Sequence, residues 1–489
     1  MSGIDPMAAE TVDELRRLAP AATGMTADSR RVRRGDVFLA YPGGVHDGRG
    51  HIAHALHAGA AAVAWEPDGF AWNPAWQIPH LPVAGLKARA AGLAAAWHGH
   101  PSETLWMTGI TGTNGKTSVS HWLAQAFTHL GRRTAALGTL GNGFPGEMTA
   151  ATHTTPDAVS LQGLLARYRD AGAAGVAMEV SSHGLDQGRV AGVAYDVAVL
   201  TNLSRDHLDY HGTMEAYAAA KARLFHWPGL KAAVVNADDD LGAALMHQVT
   251  GARVISYGLN AGDLRAHMQA DRLGLKLEIV SPWGSGCLES PLLGTFNGYN
   301  LLAALGALLA ADVPMADALA ALSTVRATAG RMQTVEGWTG KPTVIVDFAH
   351  TPDALDKVLA ALKPLATGRL ICVFGCGGGR DTGKRPLMGA AVAAGADVAV
   401  VTSDNPRNED PARIVADILA GMPAGEEANH SVILDRREAI HTAITQAGPG
   451  DIVLLAGKGH EDYQEIHGVK RPFSDLEEAR AALARWRPA

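Results

Sequence analysis

The residues best suited to chemistry lie in one stretch, Thr108-Gly109-Ile110-Thr111-Gly112-Thr113-Asn114-Gly115-Lys116-Thr117-Ser118. An apolar approach (Leu105, Trp106, Met107) runs into a glycine-rich turn, then Lys-Thr, then a helical pattern. That is the layout of a nucleotide phosphate loop: backbone N–H groups and a helix N-terminus face the phosphates, the lysine neutralises them, and the following hydroxyl can hold Mg²⁺. The general spacing fails by one residue, because the position five before Gly115 is Ile110. The match is to the shorter Gly-Thr-Asn-Gly-Lys-Thr form, and Gly112 to Ser118 are the expected phosphate contacts.

Two later apolar runs each end in polar residues. Gly175-Val176-Ala177-Met178-Glu179-Val180 leads into Ser181-Ser182-His183-Gly184, and Asp196-Val197-Ala198-Val199-Leu200-Thr201 leads into Asn202-Leu203-Ser204-Arg205-Asp206-His207. Ligands of open α/β sheets sit outside the carboxyl ends of the strands, so Glu179 and His207 are candidates to face one nucleotide. A carboxylate at the end of an apolar run is costly unless paired or metal-bound, and a metal is favoured over an internal salt bridge. His207 alone reads as a structural histidine, and Lys221, among alanines in the helical segment Met214 to Phe225, reads alone as an exposed helix lysine. Asn297 and Asn300 lie one helical turn apart before the apolar run Leu301 to Ala311. They can face one site or serve as N-terminal caps.

The elements that must position these groups alternate along the chain. A first unit, about 10 to 103, has strands at Asp36–Ala40 and Ala61–Trp65 around a helical run from Ile52 to Gly59, with polar clusters at Ala27–Arg31 and His46–Gly48. The second, about 104 to 332, opens on the phosphate loop, after which Val119, Trp122, Leu123, Ala126, Phe127 and Leu130 recur at helical spacing. The third, about 333 to 489, has strands at Val344–Val346, Leu370–Phe374, Val398–Val401 and Ile452–Leu455. Each of these ends in a glycine- or charge-bearing loop, which indicates a second α/β binding edge. The run Gly375-Cys376-Gly377-Gly378-Gly379 lacks the spacing of a dinucleotide fingerprint.

Composition sets the outer bounds. A chain of 489 residues, 47% apolar and 19% charged, reads as a soluble protein of about three domains. A net charge of −7 gives no reason to expect nucleic acid. Three cysteines, Cys287, Cys372 and Cys376, imply neither a disulfide framework nor a zinc site. No signal peptide and no membrane span are expected, so the chain reads as cytoplasmic.

The ordered set Thr-Gly-Thr-Asn-Gly-Lys-Thr (111–117), Glu-Val-Ser-Ser-His (179–183), Asp-His-Leu-Asp (206–209), Asn-x-x-Asn (297–300), Gly-Arg-Met (330–332) and Asp-x-Ala-His (347–350) resembles the Mur ligase family, the ATP-dependent amide-bond-forming enzymes of cytoplasmic peptidoglycan precursor synthesis. Asp404-Asn405-Pro406-Arg407 and Gly-Lys-Gly-His-Glu-Asp-Tyr (457–463) are similar to the members that add the third peptide residue, in the form that takes meso-diaminopimelate and not lysine. The resemblance implies three α/β domains: 1–103 binding the UDP substrate, a phosphate-loop domain 104–332 binding ATP, and a Rossmann-like domain 333–489 binding the amino acid. It implies that Ser29, Gly44, Val45, His46, Thr154, Thr155, Ser181, Gln187 and Arg189 hold UDP-N-acetylmuramoyl-L-alanyl-D-glutamate. Lys116, Thr117, Glu179, His207 and Lys221 become the catalytic and Mg²⁺ set, with Lys221 carbamylated so that its carboxylate oxygens meet the metal. Asn297, Asn300, Arg331 and Asp347 become ATP contacts, the last two at the hinge into the third domain. Arg385, Asp404, Asn405, Pro406, Arg407, Gly457 and Glu461 become the diaminopimelate site.

The implied reaction runs through an acyl phosphate, with ATP as co-substrate and small molecules as the partners of a monomer. Phe348 stands where the family more often has tyrosine, Gln333 where it often has glutamate, and His153 where related sequences can carry asparagine. A lysine-adding ligase and a folylpolyglutamate synthase are the rivals of the same fold; a module using ATP as a switch is the rival of another class. The DNPR loop opposes the first two, and the glutamate, histidine and lysine set opposes the third.

Overall fold

A computed structural model describes residues 7–44, 46–335, 340–424 and 429–488. The chain divides into two compact units: one runs to Leu203 and includes His207–Tyr257 and Gly306–Val313; the other takes Ser204–Asp206, Gly258–Leu305 and the chain from Pro314 onward.

The first unit carries two sheets. Strands β1 (Gly24–Thr26), β2 (Asp36–Ala40), β3 (Ala62–Trp65) and β4 (His80–Pro82) pair in parallel in that order. Alternate side chains point to opposite faces of a strand. Val37, Leu39, Ala62 and Ala64 accordingly pack with Leu15, Leu86 and Leu93 on one face, and Phe38, Ala40, Val63 and Trp65 pack with Ile52 and Ala55 on the other.

The second sheet of this unit contains β5 (Trp106–Thr111), β6 (Thr134–Gly138), β7 (Gly141–Phe144), β8 (Glu147–Thr149), β9 (Gly175–Glu179), β10 (Val197–Leu200), β11 (Ala232–Asn236) and β12 (Arg253–Gly258). Their order is β12-β11-β10-β5-β9-β6-β7-β8, parallel from β12 to β6 and antiparallel for the last two. β5 therefore lies between β9 and β10, and the three loops that leave these strands open on one edge. Connections diverge to the two sides beside β5, the kind of switch point at which α/β sheets bind ligands. Met107, Leu137, Val176, Met178, Ala198 and Leu200 fill the core beneath it.

In the second unit, β13 (Leu264–Asp271), β14 (Gly274–Ser281) and β15 (Gly284–Ser290) form an antiparallel meander. The helix Thr295–Ala310 follows, with its residues up to Leu305 in this unit. A parallel sheet is built from β17 (Thr343–Asp347), β18 (Leu370–Phe374), β19 (Val398–Val401), β20 (His430–Val432) and β21 (Ile452–Ala456), with the short β16 (Gln333–Thr334) antiparallel at one edge. Its order is β16-β17-β21-β18-β19-β20. Both faces are covered, which is why these strands read as unbroken apolar runs. Ile345, Cys372, Phe374 and Leu454 face Leu355, Leu359, Val392 and Ile418, whereas Val344, Val346, Val373 and Val453 face Ile440, Ile444 and Leu483. A hairpin, β22 (Tyr463–Ile466) and β23 (Val469–Pro472), turns at His467-Gly468 with φ of 51° and 73°. That pair of positive φ values is what a tight two-residue hairpin requires.

Every expected strand is present to within a residue or two. The helix expected from Leu301 begins earlier, at Thr295, and the segment from Met214 closes as an α-helix at Ala222 and continues as a 3₁₀ turn, Arg223–His226. All three cysteines are free.

Candidate functional site

β5 delivers the chain into Gly112, whose φ of 145° and neighbourhood exclude a side chain: a Cβ there would lie 1.9 Å from Thr201 Oγ1. Gly115, also at positive φ, caps the helix Lys116–His129 without a side-chain bond, so the first N–H groups of that helix stay directed at the loop. The loop is braced from β10: Thr113 N donates to Asn202 O, Asn114 N to Asn202 Oδ1, and Thr201 Oγ1 to Asn114 O. The ammonium of Lys116 donates to the carbonyls of Gly112 and Thr113, 2.8 Å each. Thr117 and Ser118 are buried in the first helical turn.

Lys221 is not the exposed helix lysine that its neighbours suggest. It is 1% exposed, donates to the same Gly112 carbonyl at 2.8 Å, and sits 4.3 Å from the Tyr217 ring centroid. Two ammonium groups thus converge on one oxygen of the glycine-rich loop. His207, exposed and at φ 54°, caps a short turn of helix beside Tyr217 and His183, their ring centroids 6.1 and 4.9 Å away. Burial, and then the charges of His207 and His211, lower the pKa of His183.

Glu179 ends β9 and is 1% exposed. Its carboxylate accepts from Thr139 N (2.8 Å) and Thr139 Oγ1 (3.1 Å), and among the described residues no cation pairs with it, so the internal salt bridge is not made. A Cβ on Gly138 would lie 2.1 Å from Glu179 Oε1, so only glycine admits the carboxylate. Thr139 Oγ1 lies 3.1 Å from Thr154 Oγ1. Thr155 Oγ1 bonds Glu179 O and Ser181 Oγ, and Arg189 reaches Thr155 O and Gln187 Oε1. Thr154, Thr155, Ser181, Gln187 and Arg189 therefore form one network with Glu179.

That network borders a cavity of about 400 Å³ lined by Asp28, Arg30, Arg31, Thr152, His153, Asp157 and Arg189. Ser29 is buried in the 3₁₀ turn Ser29–Arg31 beside it, a turn that Asp28 caps. His153, a departure noted above, lines this cavity; burial, and then Arg189, lower its pKa. Gly44 and His46 are exposed loop residues, and Val45 lies outside the described residues. Arg30 and Arg31 of the cavity were visible only as a polar cluster, and Thr139 carried no sequence signal.

In the second unit the helix Thr295–Ala310 holds Asn297 and Asn300 inside its first turns, so neither is a cap. Asn300 Nδ2 donates to Asn297 Oδ1 and Asn297 Nδ2 to Leu293 O, linking the two amides in series. Asp347 is buried and accepts from Met332 N and Ala349 N. Burial pushes its pKa up, opposed by Arg331 and those two donors. Arg331 stacks over Phe348 at 4.7 Å, so phenylalanine retains the ring face that tyrosine would offer. Gln333 Oε1 accepts from Gly330 N, an acceptor role that needs no charge.

At the carboxyl edge of β18, β19 and β21, Arg407 (φ 54°) donates from Nη1 to Gly378 O at 2.7 Å, and its Nε is 3.7 Å from Glu465. Its backbone is clipped to the hairpin, N to Glu465 O and O from His467 N. Pro406 is buried, and its carbonyl would lie 2.0 Å from a Cβ on Gly378. Asp404 caps Asn405 N, and Gly457 approaches it so closely that a Cβ would lie 2.8 Å from Asp404 Oδ2. Asn405 and Lys458 both bond Glu461 Oε2. Arg385, 1% exposed, is engaged by Asp417 and Glu409 at 2.8 and 2.9 Å, which makes it a brace beneath the Gly377–Gly379 loop. Lys458, Gln464 and Glu465 were missed, although Lys458 stands inside the Gly-Lys-Gly-His-Glu motif.

Comparison with known proteins matches most of the chain. Family models described as "Mur ligase family, catalytic domain", "Mur ligase middle domain" and "Mur ligase, glutamate ligase domain" match residues 21–98, 110–308 and 330–459. The chain is 55% identical over 478 residues to the UDP-N-acetylmuramoyl-L-alanyl-D-glutamate--2,6-diaminopimelate ligase of Chromobacterium violaceum, covering 96% of each chain. It is 54% identical to the Pseudomonas aeruginosa protein of the same name, covering 94% of this chain and 95% of that one. A solved structure of a UDP-N-acetylmuramoyl-L-alanyl-D-glutamate--2,6-diaminopimelate ligase is 40% identical with a TM-score of 0.67 over 95% of each chain. The MurF ligase of Thermotoga maritima, solved with ADP, shares the fold at 19% identity and a TM-score of 0.67, covering 95% of this chain and 97% of that one.

Proposed function

Since the chain belongs to the Mur ligase family, we propose that it is the ATP-dependent ligase that joins meso-2,6-diaminopimelate to UDP-N-acetylmuramoyl-L-alanyl-D-glutamate in peptidoglycan precursor synthesis. The single observation that carries the ligase reading is the burial of Lys221 against the phosphate loop beside Lys116. An ATP switch has no use for a second lysine there. As an ammonium Lys221 repels both Lys116 and a metal; as a carbamate, formed from the neutral amine and CO₂ with loss of a proton, it attracts both.

The D-glutamate γ-carboxylate attacks the γ-phosphorus of ATP, and ADP leaves. The free amine of diaminopimelate then attacks the acyl carbon of the acyl phosphate and inorganic phosphate departs. Every group in the first step is negative, so catalysis is positioning and charge compensation. Lys116 and the amides of Gly112 to Ser118 hold the β- and γ-phosphates. Asn297, Asn300, Arg331 and Asp347 bind the rest of the nucleotide. Ser29, Gly44, Val45, His46, Thr154, Thr155, Ser181, Gln187 and Arg189 hold the UDP substrate, with Arg30 and Arg31 adding positive charge to the same cavity. Asp404, Asn405, Pro406, Arg407, Gly457 and Glu461 form the amino-acid site, with Arg385 supporting its loop from beneath.

Among the described residues no group of three or more His, Cys, Asp or Glu side chains is arranged to hold a metal. That fits Mg²⁺, which uses one or two protein carboxylates plus substrate phosphates in place of an all-protein cage. Glu179, buried without a cation, suits the role with Thr117, His207 and carbamylated Lys221. When bound, the metal neutralises the phosphoryl oxygens. We assign the three functions to residues 1–103, 104–332 and 333–489, and the reaction to a cytoplasmic monomer; among the described residues no helix is long and apolar enough to cross a membrane.

The test is phosphate release with each substrate omitted in turn. Release is expected only with ATP, the UDP-dipeptide and diaminopimelate together, and lysine should not substitute. ATP turnover indifferent to both acceptor substrates would refute the ligase reading, and equal use of lysine would refute the choice of amino acid.

A further inference from the structure

Lys458 is 0% exposed, and nothing in the mechanism above uses it. Burying an ammonium is expensive unless its hydrogen bonds and its charge are both met. Here they are: Nζ donates to Glu461 Oε2 at 2.9 Å and to Asn405 Oδ1 at 3.3 Å, and it lies 5.6 Å from the Tyr463 ring centroid. Asn405 Oδ1 also accepts from Glu465 N at 2.9 Å. With two donors on its oxygen, the Asn405 amide has one satisfied orientation, and that orientation sends Nδ2 to Glu461 Oε2 at 2.8 Å. Glu461 Oε2 therefore takes two bonds from the protein, while among the described residues Oε1 takes none.

We infer that Lys458 is a positioning residue for the amino-acid site: its buried ammonium fixes the Asn405 amide and one oxygen of Glu461, so that Glu461 Oε1 is presented to an ammonium of the incoming diamino acid. The inference rests on the assignment of this site to diaminopimelate. The charge arithmetic favours it. Lys458 and Glu461 form a neutral pair, so a second cation at Oε1 meets a carboxylate already held in place and loses little by ordering it. Without Lys458, among the described residues Asn405 keeps only Glu465 N on its oxygen and Glu461 keeps only Asn405 Nδ2, so the carboxylate loses its charged partner and the substrate must order it.

The test is a double-mutant cycle on Lys458→Met and Glu461→Gln, read as KM for each of the three substrates. K458M is expected to raise the KM for diaminopimelate at least about tenfold and to leave those for ATP and the UDP-dipeptide within about twofold. The double variant is expected to be scarcely worse than E461Q alone, because the two residues act as one unit. K458Q, which keeps a shorter donor, serves as the second variant should K458M lose its cooperative unfolding transition, and it should recover part of the effect. An unchanged diaminopimelate KM in a folded variant overturns the inference, as do additive effects or a parallel rise in all three KM values, which mark a merely structural lysine. A wild-type enzyme that ignores diaminopimelate is recognised before any variant is compared, and it removes the site assignment and this inference together.

Discussion

At Arg407 the backbone is left-handed, and both ends of the residue are tied: the peptide to the hairpin, the guanidinium to Gly378 O. A planar guanidinium so held can meet a carboxylate with two parallel charge-assisted bonds, which lysine as a substrate cannot return. Arg407→Ala should therefore raise the KM for diaminopimelate by roughly 10²-fold, the worth of a desolvated charge pair, while the KM for ATP stays nearly constant. Steady-state kinetics with each substrate varied separately decide this, and an equal loss for both would place Arg407 outside the amino-acid site. The family resemblance named both Arg407 and Lys221 as candidates, but the alanines around Lys221 suggested an exposed lysine and nothing named Lys458, since whether a lysine is buried depends on what folds over it.

Elements constrain these residues through backbone approach. Gly112 is pressed between its own turn and the end of β10, so Gly112→Ala must displace Thr201 or Asn202 at a strain of about 1–3 kcal/mol. We expect ADP to bind about tenfold or more weakly to that variant, a difference of ~1.4 kcal/mol that calorimetric titration resolves; unchanged affinity would show that the loop is not the phosphate site. The loop after β21 offers a pH test. Burial, and then Arg331, lower the His460 pKa from 6.5 to about 4. Between those values the unfolded chain takes up a proton that the folded chain refuses, so stability is intact above pH 6.5 and drains as pH falls toward about 4. Thermal unfolding of the wild type should thus fall more steeply across that window than that of His460→Gln. Parallel curves would show that His460 is not held neutral.

At the scale of the whole molecule, a buried charge pair ties together two helices of the second unit. Arg436 and Asp475 are both fully buried, joined at 2.6 and 2.8 Å, and Arg436 also holds Ala456 O at the end of β21, next to Gly457. Removing one partner strands the other charge, so Asp475→Asn should destabilise by about 3–5 kcal/mol, seen as a lowered midpoint of thermal unfolding; a midpoint unchanged within error would mean that the pair is dispensable. Nothing in the sequence marked this pair, because its members stand 39 residues apart on two helices with no motif. The β13–β15 meander was likewise unforeseen, its alternation being weaker than the unbroken apolar runs of the parallel strands. By itself the sequence determined the glycine-rich loop, the strands beside it and the chemical type of each candidate residue, since these follow from local spacing, glycine conformations and side-chain charge. Tertiary structure alone decided which groups touch: that Lys221 and Lys116 meet on one carbonyl, that Thr139 receives Glu179, and that Lys458 is buried against Glu461. Those outcomes depend on which strands become neighbours, and on the burial that turns an ordinary charge into one that must be matched.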